Sequence, residues 1–282
     1  MSSLAEIWRF RPLILELVRR DLKLRYKNSI GGIAWSLLNP LMQIAVITVL
    51  MKFILPTPVK DYSAYLFILF LWNFFQVSLA DGCVAIVNNA TLVRKVYFPR
   101  AILPLATLLG NLFHFAIAFA FTILYFFVLG TYPSHLFVNG VYPGPLRPEI
   151  FLVLPVIFFM IVLCLGFSLI LAYLNVFYED VRFIVTALLQ LFFYAVPILY
   201  PIEQVKAKGV YDIYMLNPVA ALLVTYQRAL LLPPTVTQKG VQLPAVGVPW
   251  GYFSLACVVS TCVLGVGFLL FEHYKWEMVE RL

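Results

Sequence analysis

Aromatic residues make up 16% of this 282-residue chain, and three groups of them are interleaved with side-chain amides. Trp35 precedes Asn39 and Gln43, Trp72, Phe74 and Phe75 surround Asn73 and Gln76, and Gln190 is followed by Phe192, Phe193 and Tyr194. Rings of this kind stack on the apolar faces of pyranoses while amides meet the hydroxyls, so the chemistry they suit is sugar recognition. The competing reading is structural, because most aromatic side chains of membrane proteins face lipid or form interfacial belts.

Catalytic machinery is not in view. The chain has no GxxxxGK[ST] phosphate loop, no GxSxG and no HExxH, and its cysteines and histidines are not clustered, so neither a catalytic group nor a metal site is expected. Cys83, Cys164, Cys257 and Cys262 lie in or beside apolar runs without paired spacing and read as small core residues. His114 stands in the middle of an apolar run. It is either a functional group or a neutral imidazole hydrogen-bonded to a neighbouring helix. Acidic residues are nearly absent from the apolar runs, which argues against a proton-driven carrier with a titrating carboxylate at mid-membrane.

The elements that must position these residues are membrane helices. A chain that is 63% hydrophobic and 12% charged, with a mean hydropathy of +0.94, is expected to be an all-α polytopic membrane protein. Its formal charge of +7 comes from basic residues at membrane-flanking positions, which suits anionic lipid and not nucleic acid. Six apolar runs, about 32–55, 62–80, 102–130, 150–174, 183–200 and 250–271, read as six spans. Before them lies a basic amphipathic helix carrying Arg19, Arg20, Lys23, Arg25 and Lys27, joined by Gly31 and Gly32 to the first span. The expected division is an interface helix over 1–31 and a transmembrane domain over 32–282. The first 30 residues carry charges throughout and lack a signal-peptide pattern.

Seven of the 20 basic residues, Lys52, Lys60, Arg147, Lys206, Lys208, Arg228 and Lys239, fall on one side of such a topology and the other 13 on the side of the N-terminus. Both termini are therefore expected in the cytoplasm. Residues 81–101 are too polar around Asn88 to Lys95 to remain in lipid, and read either as a solvated connector or as a functional cytoplasmic segment stopped by Pro99. Residues 175–182 form a second tight turn. On the outer side, Asn217 and Pro218 are a helix cap and first helical residue, followed at helical spacing by Val219, Leu222, Leu223, Tyr226 and Leu230. That helix is expected either to re-enter the outer leaflet or to lie at the interface. Residues 233–249, rich in Pro and Gly, read as an exposed excursion.

Five stretches together resemble the permease subunits of type-2 ABC transporters that export bacterial polysaccharides such as O-antigen, capsule and teichoic acid. They are RRDLKLRYKNSIGGIAWSLLNPL at 19–41, NNATLVRKVYFPRAILP at 88–104, NVFYEDV at 175–181, VPILYP at 196–201 and LNP at 216–218. The resemblance implies a homodimer around a conduit for a lipid-linked polysaccharide, in the bacterial inner membrane, with two copies of a separate nucleotide-binding subunit that carries ATP and Mg. This chain would hold no cofactor of its own.

The resemblance also assigns roles. Asn88, Leu92, Arg94, Lys95 and Phe98 would couple to the ATPase, with Asn175, Glu179 and Asp180 as the second contact. Where the family usually has Arg before the Asp of NxxxRDV, this chain has Glu179, so that contact differs in charge here. A re-entrant outer gate would span 196–232, with Pro197, Tyr200, Asn217 and Pro218. Trp35, Gln43, Trp72, Phe75, Gln190 and Tyr194 are the expected conduit wall. The basic set Arg19, Arg20, Lys23, Arg25 and Lys27 would meet either membrane lipid phosphates or the pyrophosphate of the lipid carrier. The rival readings are a type-2 ABC exporter of a drug or lipid, and a membrane enzyme acting on lipid-linked sugars.

Overall fold

The computed structural model describes residues 4–27, 34–54, 66–128, 148–231, 233–234, 236–238 and 241–282. Apart from a two-residue antiparallel pairing of Thr237–Gln238 (β1) with Val241–Gln242 (β2), the described secondary structure is helical. In chain order it runs α1 Leu4–Arg9, α2 Arg11–Tyr26, α3 Ala34–Phe53, α4 Ile68–Val84, α5 Ala90–Lys95, α6 Ile102–Val128, α7 Val153–Phe177 and α8 Val181–Ala195. The remainder is α9 Ile202–Ala207, α10 Tyr211–Met215, α11 Pro218–Leu230, α12 Trp250–Tyr274 and α13 Glu277–Arg281. Prolines inside the first turns of α2, α6 and α7 (Pro12, Pro104 and Pro155) stand where a missing N–H leaves no helical bond unmade.

Six spans is more than the helices alone establish. Among the described residues, α6, the run from Pro148 through α7, and α12 are long and apolar enough to cross a membrane. A fourth span arises if α4 is taken with the segment Val87–Lys95, to which it is bent by 52°. The apolar stretch at 183–200 does not continue as one helix. Val196 is extended, as the residue before a proline tends to be, and Pro197 ends α8 at Ala195. Its 15 residues reach only about 22 Å at 1.5 Å per residue. The expected loop at 81 begins late, since Asp81 to Val84 still belong to α4. The joint at Gly31 and Gly32, and residues 62–65 at the start of the run 62–80, lie outside the described residues. The interface helix is interrupted at Phe10, between α1 and α2.

Two apolar cores hold the helices. The larger joins α4, α6, α7, α8, α11 and α12, and the smaller gathers Ile14 and Leu17 of α2 with Ile86, Val93, Phe98, Ile102, Ala172, Phe271 and Met278. In lipid there is little hydrophobic drive between helices, so close backbone approach at small residues carries association. That is the device between α7 and α12. A Cβ on Gly166 would stand 2.7 Å from the Leu264 nitrogen, and one on Gly267 would stand 2.4 Å from the Gly166 carbonyl oxygen. Between α4 and α7, a Cβ on Gly82 would fall 2.3 Å from Ser168 Oγ, which donates to the Ser78 carbonyl at 3.2 Å.

Helix α11 starts as the sequence indicates, with Asn217 Oδ1 accepting from the Val219 N–H at 3.0 Å and Pro218 as first helical residue. Its surroundings are protein, for every residue from Val219 to Ala229 is buried. Arg228, at the end of this helix, donates to Glu203 of α9 at 2.6 Å, and both side chains are almost wholly excluded from solvent. The same carboxylate oxygen accepts from the Val246 N–H at 3.3 Å. Residues 233–249 are thus not simply an exposed excursion, for Val236 and Val246 are buried and the segment is tied to Glu203 of α9.

Leaving one member of a buried ion pair uncompensated costs about 3–5 kcal/mol, whereas replacing both members with apolar groups is often close to neutral. Arg228→Met is therefore expected to lower the thermal unfolding midpoint of the purified protein well beyond the loss in the Arg228→Met/Glu203→Leu double variant. Differential scanning fluorimetry in one detergent checks it, and equal losses would show that the two side chains do not act as a pair.

Candidate functional site

A cleft of about 490 Å³ opens between α2, α3, α4 and α6. Each wall is a single helical stripe. Trp35, Asn39 and Gln43 repeat every four residues on α3, Phe70, Asn73, Phe74 and Val77 follow on α4, and Asn111, His114, Phe115 and Ala118 on α6. Residues at i, i+3, i+4 and i+7 share one helix face, so these side chains converge by helical geometry. Gln43 Oε1 lies 3.5 Å from Asn73 Nδ2 across the cleft. The ring of Trp35 is 57% exposed and free to stack.

One end of the cleft is a closed polar network. Arg25 donates through Nη2 to Asp81 Oδ2 at 2.8 Å and through Nη1 to Asn111 Oδ1 at 3.1 Å, while Asn111 Nδ2 donates to Asp81 Oδ2 at 3.1 Å. Tyr26 Oη lies 2.7 Å from His114 Nδ1, with the two rings edge to face. His114 thus bonds a neighbouring helix and also lines the cleft. Asp81 and Asn111 carry the network without standing out in the sequence. Their signal is the polar position one turn before His114, and an acid at the polar end of an apolar run.

The six expected wall residues do not form one surface. Trp35 and Gln43 line the cleft. Trp72 and Phe75 are instead buried inside the protomer, 1% and 2% exposed. The Trp72 ring centroid lies 5.6 to 5.9 Å from those of Phe75, Phe192 and Phe193, and its Nε1 donates to Gln76 at 3.0 Å. These rings lock α4 to α8. Gln190 and Tyr194 are exposed on α8, away from the cleft. The basic set divides in the same way. Arg25 is committed to the network, Arg20 bonds Asp21 and, at 2.7 Å, Asn89, and Arg19 pairs with Glu16 on the surface, while Lys23 and Lys27 are exposed.

At one end of the bundle, α5 and the turn after it lie over α2, α7 and α13 through the smaller core. Asn88, Arg94 and Lys95 are exposed and Leu92 is half-buried, but Phe98 is 5% exposed and works as an anchor from within that core. Its neighbours Val96 and Tyr97 present the open apolar surface instead. Neither is among the residues to which the resemblance assigns coupling. Asn89 holds the bend, donating to the Ala85 carbonyl at 2.8 Å and accepting from Arg20. Of the second contact, Glu179 and Asp180 are exposed while Asn175 is buried. Arg100 braces this end, donating to the Lys275 carbonyl and lying 5.1 Å over the Trp276 ring. Burial lowers its pKa and the neighbouring Tyr97 and Glu272 oppose that shift; a guanidinium stays charged regardless.

The expected gate residues sit where the chain reverses between α8 and α11. Pro197 is buried, and Tyr200 Oη bonds the Tyr194 carbonyl at 3.1 Å and the Tyr214 hydroxyl. Asn217 and Pro218 start α11.

Residues 12–231 match the family described as ABC-2 type transporter. The chain is 30% identical over 224 residues to the O-antigen export system permease protein RfbA of Myxococcus xanthus, covering 79% of this chain and 81% of that protein. A protein of the same name from Klebsiella pneumoniae is 26% identical over 272 residues, 96% of this chain and 95% of its own length. Apolar helices closely packed at glycine and a match across more than half of the chain agree: the protein belongs to the ABC-2 type transporter family, as a permease subunit whose ATP hydrolysis resides on a separate subunit.

Proposed function

We propose that this chain forms the membrane conduit of an ATP-driven exporter that carries a lipid-linked, O-antigen-like polysaccharide from the cytoplasm to the outer face of the bacterial inner membrane. The observation that most supports this cargo is the alignment, from near end to end, with relatives named as O-antigen export permeases. In this reading two copies of the chain enclose the conduit and two ABC nucleotide-binding subunits, carrying ATP and Mg, dock at the end bearing α5. Both termini are cytoplasmic, and α3 and α8 complete a set of six spans. Their open apolar faces, with Leu38, Met42 and Val46 on α3 and Ile184, Leu188 and Leu191 on α8, are available to the second copy and to lipid.

The coupling surface is Asn88, Leu92, Arg94, Lys95 and Tyr97, with Glu179 and Asp180 as the second contact. Phe98 and Asn175 hold these segments from within. Pushing on α5 moves a rigid, packed end of the bundle, and such interfaces shift between discrete arrangements without bending continuously. The segment 196–232 is the outer gate, kept together by the Arg228–Glu203 pair and the Tyr200–Tyr214 contact. Trp35, Gln43, Gln190 and Tyr194 supply the wall, with Trp72 and Phe75 behind it. Arg19, Lys23 and Lys27 face the phosphates of the membrane or of the lipid carrier.

Deleting the gene from its own host is expected to remove the polysaccharide from the cell surface while lipid-linked polymer accumulates inside, as read by immunoblot of whole cells and spheroplasts. Unchanged surface polysaccharide would reject this cargo. At the coupling surface, Tyr97→Asp is expected to reduce export and the ATPase of the assembled complex by about tenfold or more while the permease stays in the membrane; full ATPase with full export would remove this residue from the contact. Trp72→Ala, a large cavity in the core, is expected to destabilise the protein by about 3–5 kcal/mol and to lower export and ATPase together. An export defect with normal stability and ATPase would return Trp72 to the wall.

A further inference from the structure

We infer that Arg100 and the junction of α12 with α13 form a clasp that holds residues 88–98 and 175–182 as one body, which makes Arg100 a positioning residue for the coupling of ATP hydrolysis to transport. That these two segments receive the push of the ATPase rests on the coupling reading above, whereas the clasp stands on contacts within the chain.

The first segment is held at both ends. At its start, Val87–Asn89 lies against α7. At its far end the backbone is extended at Val96, and the next two side chains part: Tyr97 is 74% exposed, while Phe98 is buried in the smaller core with Phe271 of α12 and Met278 of α13. Two residues on, Arg100 donates to the carbonyl of Lys275, the residue that closes α12. The last carbonyls of a helix have no partner within it and carry the negative end of its dipole. A guanidinium brought there from another part of the chain therefore caps α12 and is itself fixed by the same contact. It also lies 5.1 Å over the ring of Trp276, which leads into α13.

The junction reaches the second segment as well. Tyr274, one residue before Lys275, stacks on Tyr173 of α7 with ring centroids 4.7 Å and planes 21° apart. Arg281 of α13 lies 5.6 Å over the ring of Phe177, the last residue of α7, and the chain passes from there directly into exposed Glu179 and Asp180. Residues 274–281 thus touch Arg100 just after the first segment and Phe177 within the second. Met278, wholly buried between these contacts, makes the link a packed one, and packed elements pass on a displacement by moving together.

The test uses the permease assembled with its nucleotide-binding subunit in lipid nanodiscs, without nucleotide, and follows backbone amide exchange by mass spectrometry. Arg281→Ala, an exposed side chain beside the second segment, is expected to speed exchange at 88–98 as well as at 175–182. Arg100→Gln, beside the first, is expected to speed exchange at 175–182 as well, each by about fivefold, the size of effect that mutations between coupled sites have. Arg100→Lys, which keeps a charged donor without the planar fork, should fall between. In the deletion strain complemented with Arg100→Gln, surface polysaccharide relative to the ATPase rate of the same purified complex should fall by a similar factor; a mere loss of folded protein lowers both and leaves the ratio unchanged. Where Arg100→Gln does not assemble, Trp276→Leu, whose ring is exposed, carries the same expectations. The inference is overturned if each variant alters exchange only in the segment it adjoins, or if the ratio of export to ATPase keeps its unaltered value. Linked exchange beside a fully active Tyr97→Asp complex would instead reject the coupling reading and leave the clasp standing.

Discussion

The contact between Gly166 and Gly267 is what the rest of the protomer depends on. Helices in a bilayer gain little from hiding apolar surface from one another, so they hold together by approaching closely. With no side chain at either position, the backbones of α7 and α12 meet directly. Helix α11 then packs against both, and the charge of its buried Arg228 is paired through Nη2 with Glu203. Were α7 and α12 held apart by even one methyl group, the pocket that receives α11 would lose its walls.

A second consequence of close packing is that the two ends of the chain's work are joined by short paths. Helix α2 contributes Ile14 and Leu17 to the core beneath α5, and its last turn contributes Arg25 and Tyr26 to the cleft. Arg20, between them, bonds Asn89 at the bend. A displacement of α5 therefore reaches the cleft through one helix of 16 residues. The basic residues of this helix are of two kinds: Arg20 and Arg25 are bonded to other helices, while Lys23 and Lys27 are exposed.

Much of this architecture was legible in the residues. Apolar runs locate helices because nothing else satisfies the backbone in lipid, and Asn217 with Pro218 announces α11 by local chemistry alone. Helix ends were less legible. The run at 183–200 looks continuous in composition, yet Pro197 constrains Val196 and cuts α8 short. Facing was least legible of all. Helix α4 is apolar nearly all round, so no periodicity distinguishes Trp72, turned inward, from Phe70 and Asn73, turned to the cleft. Nor could spacing reveal the pairing of Arg25 with Asp81 and Asn111, which lie 56 and 86 residues away. Long-range partners of this kind are properties of the packed bundle. The amphipathic pattern of α2 speaks of a surface, while three of its polar residues are turned toward protein.

Pairing Arg25 with Asp81 has an electrical consequence. An elementary charge carried across a membrane potential of 100 mV does work of about 2.3 kcal/mol, enough to bias any step in which a lone arginine moves along the field. An arginine that travels with its carboxylate carries no net charge and leaves only a small dipole. Any rearrangement that carries the pair as a body therefore moves no net charge along the field.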